Sequence, residues 1–293
     1  MFKYIINSPE IFKNLIRVPL LSKFLTLNIE SFDKVQTWDI YSKLIKHFRY
    51  GDVTGKETYC GRFTDLDDHI MVYLDANMSF HDVGCSTGVT SMDLYEKCRS
   101  KNINLDLTVS DKYTKFYFDG SYVRKIYDQS GSLKQIYIGK VLLDKNISTF
   151  FFLSKLLFYP CAILVGKKND ISNLVEISLM SPSIRSLHSS NNLRVIDYDI
   201  FSNPIQKFDF VRCMNVLNRS YFSDKLLVVG LSNLIQSLQQ GGLLLIGRTD
   251  TFNVNKATLF QKVDECLVVL NHFSGGAEIF DLVEKNFKVE AAI

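Results

Sequence analysis

The sequence predicts an α/β protein built on a doubly wound, mostly parallel sheet. Three observations carry this. From Met78 onward, short apolar runs alternate with segments of helical spacing, the rhythm of strands joined by crossover helices. The run Leu243 to Ile246 is continuously apolar, as a strand buried on both faces requires. The first strand of the series, Met78 to Val83, ends in Gly84-Cys85-Ser86-Thr87-Gly88, which leads directly into helical spacing.

Residues 1–77 read as a helical N-terminal region, and 78–293 as the α/β domain with an insertion at 112–170. Ile11, Leu15 and Ile16, then Leu44, Ile45 and Phe48, have helix-like spacing. Thr64 followed by Asp65, Asp67 and Asp68 reads as an N-cap with acids in the first turn of a helix running to Asn77. Val89 to Arg99 is a helix with Met92, Leu94 and Tyr95 inward, and Leu105 to Val109 is the second strand. Leu193 to Tyr198 and Phe208 to Cys213 are further strands. Ser223 caps a helix with Leu227, Leu231, Leu234 and Leu238 on one stripe, stopped by Gly241-Gly242. Ala257 to His272 is a strand pair turning near Asp264-Glu265.

The insertion has hairpin texture, with turns at Asp119-Gly120 and Gln129-Ser130-Gly131, followed by the apolar run Ile147 to Gly166. It holds ten Lys and Arg against four Asp and Glu, so it is the basic part of the chain. The apolar run is 20 residues long with Lys155 as its one charge and Pro160 inside it. It reads as a buried or lid helix, with a peripheral membrane contact through 145–168 as the alternative: apolar face down, Lys145, Lys155, Lys167 and Lys168 near anionic headgroups.

Composition excludes several classes. With 46% apolar residues and net charge +3 the chain is not disordered. Gly at 15 and Pro at 5 exclude a collagen-like or low-complexity chain. Lys plus Arg at 34 against Asp plus Glu at 31 speaks against nucleic acid as a partner. Cys60, Cys85, Cys98, Cys161, Cys213 and Cys266 form no CxxC, so neither a zinc site nor a disulfide framework is indicated. Scattered histidines without HxxxH spacing suggest no metal. Reduced cysteines and the absence of a clear secretion signal at the N-terminus point to a cytoplasmic protein.

The glycine turn decides the cofactor. A dinucleotide fingerprint would be GxGxxG. Here the order is Gly84-x-Ser86-x-Gly88 with no third glycine in place, and Asp82 stands just before it. A carboxylate there would repel pyrophosphate and suit the ammonium of a methionine moiety. A ribose diol needs an acid after the second strand, where Asp111 stands. Turn-capping is the competing role for that residue. Asp199-Ile200 follows the third strand.

These elements resemble the class I S-adenosylmethionine-dependent methyltransferases, whose first motif reads like D-x-G-x-G-x-G. The resemblance implies a Rossmann-like seven-stranded sheet with an antiparallel strand near its edge, and S-adenosyl-L-methionine as cofactor. It implies that Gly84, Ser86 and Gly88 line the methionine end, Ser86 standing where the family has its middle glycine. It also implies that Asp199 lies near an adenine amino group, with Ile200 packing on the ring. Cys85 sits in the same loop. Cys85-Ser86-Thr87-Gly88 and Cys213-Met214-Asn215-Val216-Leu217, with Tyr221-Phe222 and Gly241 to Gly247 after it, resemble the chemotaxis-receptor (protein-glutamate) methyltransferases. That family has Arg where this chain has Met214. The match covers 78–111 and 193–249, and the chain also looks like bacterial methyltransferases of unknown substrate.

Methyl transfer from a sulfonium is an in-line displacement in which positioning supplies much of the rate. Asn215 is the expected cofactor contact at the end of the fourth strand, and Arg219 or Tyr221 the expected substrate-side residue. A loop role for Arg219 and a packing role for Tyr221 are the alternatives. No Asn-Pro-Pro-Tyr-type tetrapeptide follows that strand. The function expected is O- or N-methylation of a small-molecule or lipid-like acceptor. The rivals are a receptor carboxyl methyltransferase and a non-catalytic cofactor-binding regulator.

Overall fold

A computed structural model describes residues 3–8, 11, 14–15, 25–27, 35, 41, 58–119, 123–144, 152–165 and 170–291. The chain divides into two compact units. The first comprises 1–58 and 113–185, the second 59–112 and 186–293.

Among the described N-terminal residues Ile11, Asn14, Leu15 and Tyr41 are helical, and two segments that the spacing did not mark are strands. Lys3–Ile6 (β1) and Leu25–Leu27 (β2) are strands, paired in parallel. Lys-Tyr-Ile-Ile and Leu-Thr-Leu are short and rich in β-formers. A helix needs a longer stretch to repay its nucleation. Ile16, Leu44, Ile45 and Phe48 lie outside the described residues. The acidic helix is shorter than expected: α1 covers Thr64–Ile70, and a 3-10 turn continues it to Tyr73. Its N-cap is Phe63, not Thr64, because the Thr64 hydroxyl donates to the Gly61 carbonyl at 3.0 Å.

Then come β3 (Ser79–Val83), α2 (Val89–Ser100) and β4 (Asp106–Asp111) of the second unit. The chain returns to the first unit through β5 (Lys115–Asp119), β6 (Val123–Tyr127), β7 (Leu133–Ile138), β8 (Val141–Asp144), α3 (Phe152–Val165) and β9 (Val175–Ser178). The insertion is thus more than a hairpin and a helix. It joins the N-terminal strands in a seven-stranded sheet of order β2-β1-β8-β7-β6-β5-β9. The expected turn at Asp119-Gly120 falls partly outside the described residues.

Helix α4 (Pro182–Ser189) precedes β10 (Arg194–Asp197) and β11 (Phe208–Met214). Helix α5 covers Asp224–Gln236 and β12 covers Leu238–Thr249. The leucine stripe therefore overruns the helix. Leu238 begins the next strand, paired with Phe208. After β13 (Asn255–Val263) and β14 (Cys266–Phe273), which turn where expected, α6 (Phe280–Asn286) and β15 (Lys288–Ala291) close the chain.

The second unit is a Rossmann-like α/β sheet of order β10-β4-β3-β11-β12-β13-β14-β15. It has eight strands rather than seven, the extra one being β15, in parallel with β14. Strand β13 alone runs against the others. Leu227, Leu231 and Leu234 of α5 join Val211, Leu244, Ile246 and Phe260 in one core. The chain proceeds outward from β3 through β4 to β10, then returns to β11 on the other side of β3. That reversal is the topological switch point, where open α/β sheets bind ligands beyond the carboxyl ends of their strands.

Candidate functional site

The carboxyl ends of β3, β4, β10 and β11 carry most of the residues the sequence singled out. Register places them side by side: Val83 pairs with both Ser110 and Cys213, and Asp111 with Asp197. The loop after β3 turns through three left-handed residues, Gly84 (φ 72°), Ser86 (φ 60°) and Gly88 (φ 76°). Ser86 adopts the backbone that a glycine would take there. Its N–H is held by Asp111 Oδ2 at 2.9 Å, and Cys85 N–H donates to the Ser110 carbonyl at 2.9 Å. Asp111 is therefore brought to the loop, where its carboxylate caps the Ser86 N–H. Gly84 is required by packing as well as by φ: a Cβ there would lie 2.1 Å from Val216 Cγ2. Gly88 is the N-cap of α2, and Cys85 is buried.

Asp82 is placed otherwise than expected. Its carboxylate is buried and taken by Arg212, Nε to Oδ1 at 3.0 Å and Nη2 to Oδ2 at 2.7 Å. Ser91 Oγ adds a third bond at 2.5 Å. Arg212 also donates to Asp67 Oδ1 at 2.7 Å and to the Thr90 carbonyl at 3.2 Å. The guanidinium is wholly buried between Phe63 and Phe80, 5.5 and 5.7 Å from their ring centres. Burial alone would pull the Arg212 pKa down, but Asp82 and Asp67 outweigh it and raise it. This cluster ties α1 to β3 and β11 beneath the loop. Sequence reasoning missed it. The one signal was an arginine inside the apolar strand Phe-Asp-Phe-Val-Arg-Cys-Met.

Two carboxylates share one guanidinium, so one negative charge is in excess. Burial pushes Asp67 up to about 6, against the pull of Arg212. His81 lies nearby on β3, its ring 4.4 Å from Phe208 and its Nε2 2.8 Å from Ser110 Oγ. Burial pulls its pKa down to about 4, so it stays neutral and packed. The two groups oppose each other in acid. A raised Asp67 contributes stability below its unfolded pKa that is lost as pH rises through about 6. A depressed His81 contributes stability above its unfolded pKa that is lost as pH falls toward about 4. Between pH 7 and 5 the Asp67 gain is about 1 kcal/mol and the His81 loss about 2 kcal/mol. Asp67→Asn is therefore expected to steepen the fall in stability over this window by about 1 kcal/mol, and His81→Phe to reverse its sign. Urea unfolding at the two pH values checks both; equal slopes in all three proteins would refute the assignment.

Asp199 stands after β10 at the sheet's carboxyl edge, as expected. Its Oδ1 accepts from Phe201 N–H at 3.1 Å and its Oδ2 meets Lys112 Nζ at 2.9 Å. Both partners of that ion pair are partly exposed, so it is weak and open to exchange. Ile200 departs from expectation. It is buried in the core beside Val83 and Leu231, its carbonyl held by Asn233 Nδ2 at 2.9 Å, so it packs inside the sheet rather than on a ligand ring.

Asn215 (φ 62°) closes β11 against β12. Its N–H donates to the Gly247 carbonyl, its Oδ1 accepts from Thr249 N–H at 2.8 Å, and its Nδ2 reaches Thr249 Oγ1 at 3.3 Å. Thr249 Oγ1 bonds Asn255 Oδ1, and Asn255 Nδ2 bonds Asp65 Oδ1 and the Arg62 carbonyl. The side chain that was expected to touch cofactor is thus part of a strand-end clamp. Arg219 is also committed: Nη2 meets Asp281 Oδ2 at 2.6 Å and Nε meets Asp224 Oδ1 at 3.2 Å, which suits the loop role. Tyr221 is exposed, its ring edge-on to Phe222.

No protein-family model matches the chain, and no curated protein matches it. Among solved structures it is similar to an S-adenosylmethionine-dependent methyltransferase from Clostridium acetobutylicum, at 12% identity over 84% of this chain and 82% of that one, TM-score 0.36. It is also similar to the N-methyltransferase NodS from Bradyrhizobium japonicum, at 12% identity over 64% and 62%, TM-score 0.33. A third is an S-adenosylmethionine-dependent methyltransferase from Geobacter sulfurreducens, at 13% over 64% and 47%, TM-score 0.30. Several such matches span about half the length of the other chain.

Proposed function

We propose that the chain is an S-adenosylmethionine-dependent methyltransferase acting on oxygen or nitrogen of a small-molecule or lipid-like acceptor. The observation that supports this is the meeting of Asp111 and the Gly84–Gly88 turn at the switch point, with Asp199 at the same edge. Dinucleotide binding is disfavoured because the turn lacks a third glycine and carries a half-buried carboxylate across it.

The residues fit the cofactor in a definite way. Asp111 would accept from a ribose diol, exchanging its bond from Ser86 N–H. Asp199 would accept from an adenine amino group once Lys112 swings to solvent. Gly84 and Gly88 let the loop backbone turn, and Thr87 Oγ1 is buried in that loop with no hydrogen-bond partner. Bound S-adenosylmethionine supplies a methyl group already activated on a sulfonium. The protein then needs chiefly to hold donor and acceptor in line. Tyr221 is the substrate-side residue in this reading, since Arg219 is held by two carboxylates.

Calorimetric titration with S-adenosylmethionine and S-adenosylhomocysteine tests the proposal. Asp111→Asn keeps an acceptor for Ser86 N–H but loses the charge. It is expected to weaken binding about tenfold or more. A folded protein that binds neither ligand would end the proposal. One observation favours the regulator reading: Asp82, Asn215 and Arg219 are all engaged within the chain. Tight binding without transfer to any acceptor would support it.

A further inference from the structure

We propose that the outer face of α3 docks the protein onto anionic membrane surfaces. This does not depend on the cofactor reading. The helix has two unlike faces. Phe158 and Ala162, one turn apart, are buried in a cluster with Tyr127, Leu133, Ile136 and Leu143. On the other side Leu156, Leu157, Tyr159, Ile163 and Leu164 are exposed, Ile163 at 69% and Leu164 at 84%. At about 100° per residue these positions and Pro160 cover one continuous arc of about 160°. The arc holds no charged residue. A helix resting on a sheet and facing water carries polar groups on its outer side, and this one does not.

Charge and length select the occupant. Residues 145–169 contain Lys145, Lys155, Lys167 and Lys168 and no acid. Among the described residues of this unit Lys115, Lys125 and Lys134 are paired with Glu176, Asp119 and Asp128, whereas 145–169 has four lysines and no acid in its own sequence to pair them. An apolar stripe within a lysine-rich, acid-free stretch of sequence complements anionic headgroups over an acyl boundary. The described helix is too short to span: the 14 residues of α3 rise only ~21 Å, against a hydrocarbon core of ~30 Å. No described helix is long and apolar enough to cross a membrane. The inner face is also committed to the sheet. The helix would therefore lie in the membrane plane, with Tyr159 at the headgroup level.

The test is flotation of the full chain with vesicles of phosphatidylserine and phosphatidylcholine, and with phosphatidylcholine alone. The wild type is expected to float with the first and weakly with the second. Ile163→Glu and Leu164→Glu, both at exposed positions, should each lower the partition about tenfold without changing the melting temperature. Lys167→Gln with Lys168→Gln should lower it about fivefold per charge, only on the anionic vesicles. No flotation at low salt would overturn the proposal, as would flotation insensitive to Ile163→Glu and Leu164→Glu. A wild-type dimer that Ile163→Glu turns into a monomer would also overturn it, since a second copy would then cover the face.

Discussion

Replacing Arg212 with leucine is expected to remove about 3–5 kcal/mol of folding stability. That is a large share of the roughly 5–15 kcal/mol a folded domain has in total. The reason lies in what stays behind. Asp67 and Asp82 are both nearly inaccessible to solvent, and without the guanidinium both are buried charges with no counter-ion. The loss should therefore exceed what a lost side-chain contact would give. The control is the triple change Arg212→Leu, Asp67→Asn and Asp82→Asn. The neutral amides remove the uncompensated charges, at the smaller cost of buried polar groups without full partners, so part of the lost stability should return. Urea unfolding followed by circular dichroism measures both. A single Arg212→Leu that costs under about 1 kcal/mol would mean that water reaches the carboxylates.

Gly84→Ala carries the second largest expected effect, about 2–5 kcal/mol. Two penalties act together. The left-handed φ of 72° costs an alanine about 1–2 kcal/mol. The added Cβ also meets Val216 Cγ2 at 2.1 Å, and a β-branched valine has few rotamers to escape into. Overpacking of this kind costs about 1–3 kcal/mol. The two can be separated. Val216→Ala in the Gly84→Ala background should relieve the clash and leave the backbone penalty, recovering about half of the loss. Full recovery would show that the loop relaxes its φ; no recovery would show that Val216 was never the obstacle.

The glycine turn and the positions of Asp111 and Asp199 after their strands were legible because local chemistry writes them, whereas the role of Asp82 was not. A strand ending in glycine and entering a helix has few alternative structures, and Asp111 follows an apolar strand at once. The mostly parallel sheet followed from the alternation of strands and helices. Other features were illegible for a physical reason. Arg212 looks like any strand residue until Asp67 and Asp82, far away in sequence, fold onto it. Asn215 and Arg219 had the right position for ligand contact, but Thr249 and Asp281 claim them. Only tertiary structure supplies such competitors. Leu238 continues a helical period, yet Phe208 recruits it into the sheet, where pairing outweighs one more helical turn. Ile200 follows Asp199 as expected, and the core claims its side chain before any ligand can.

The seven-stranded sheet is drawn from two separated stretches, with Lys3 of β1 paired to Leu142 of β8. During synthesis the chain emerges from its first residue onward. At about 5–20 residues per second, β1 waits on the order of ten seconds for its antiparallel partner. The stretch 59–112, likewise, leaves the ribosome long before β11 and β12 exist to flank β3. The first unit is whole only once residue 185 has emerged, and the second only once β15 has. Both wait with bare strand edges, a state that favours holding by chaperones and makes nascent-chain aggregation the main hazard. A heterologous host that translates faster than its chaperones can bind should return this protein in inclusion bodies.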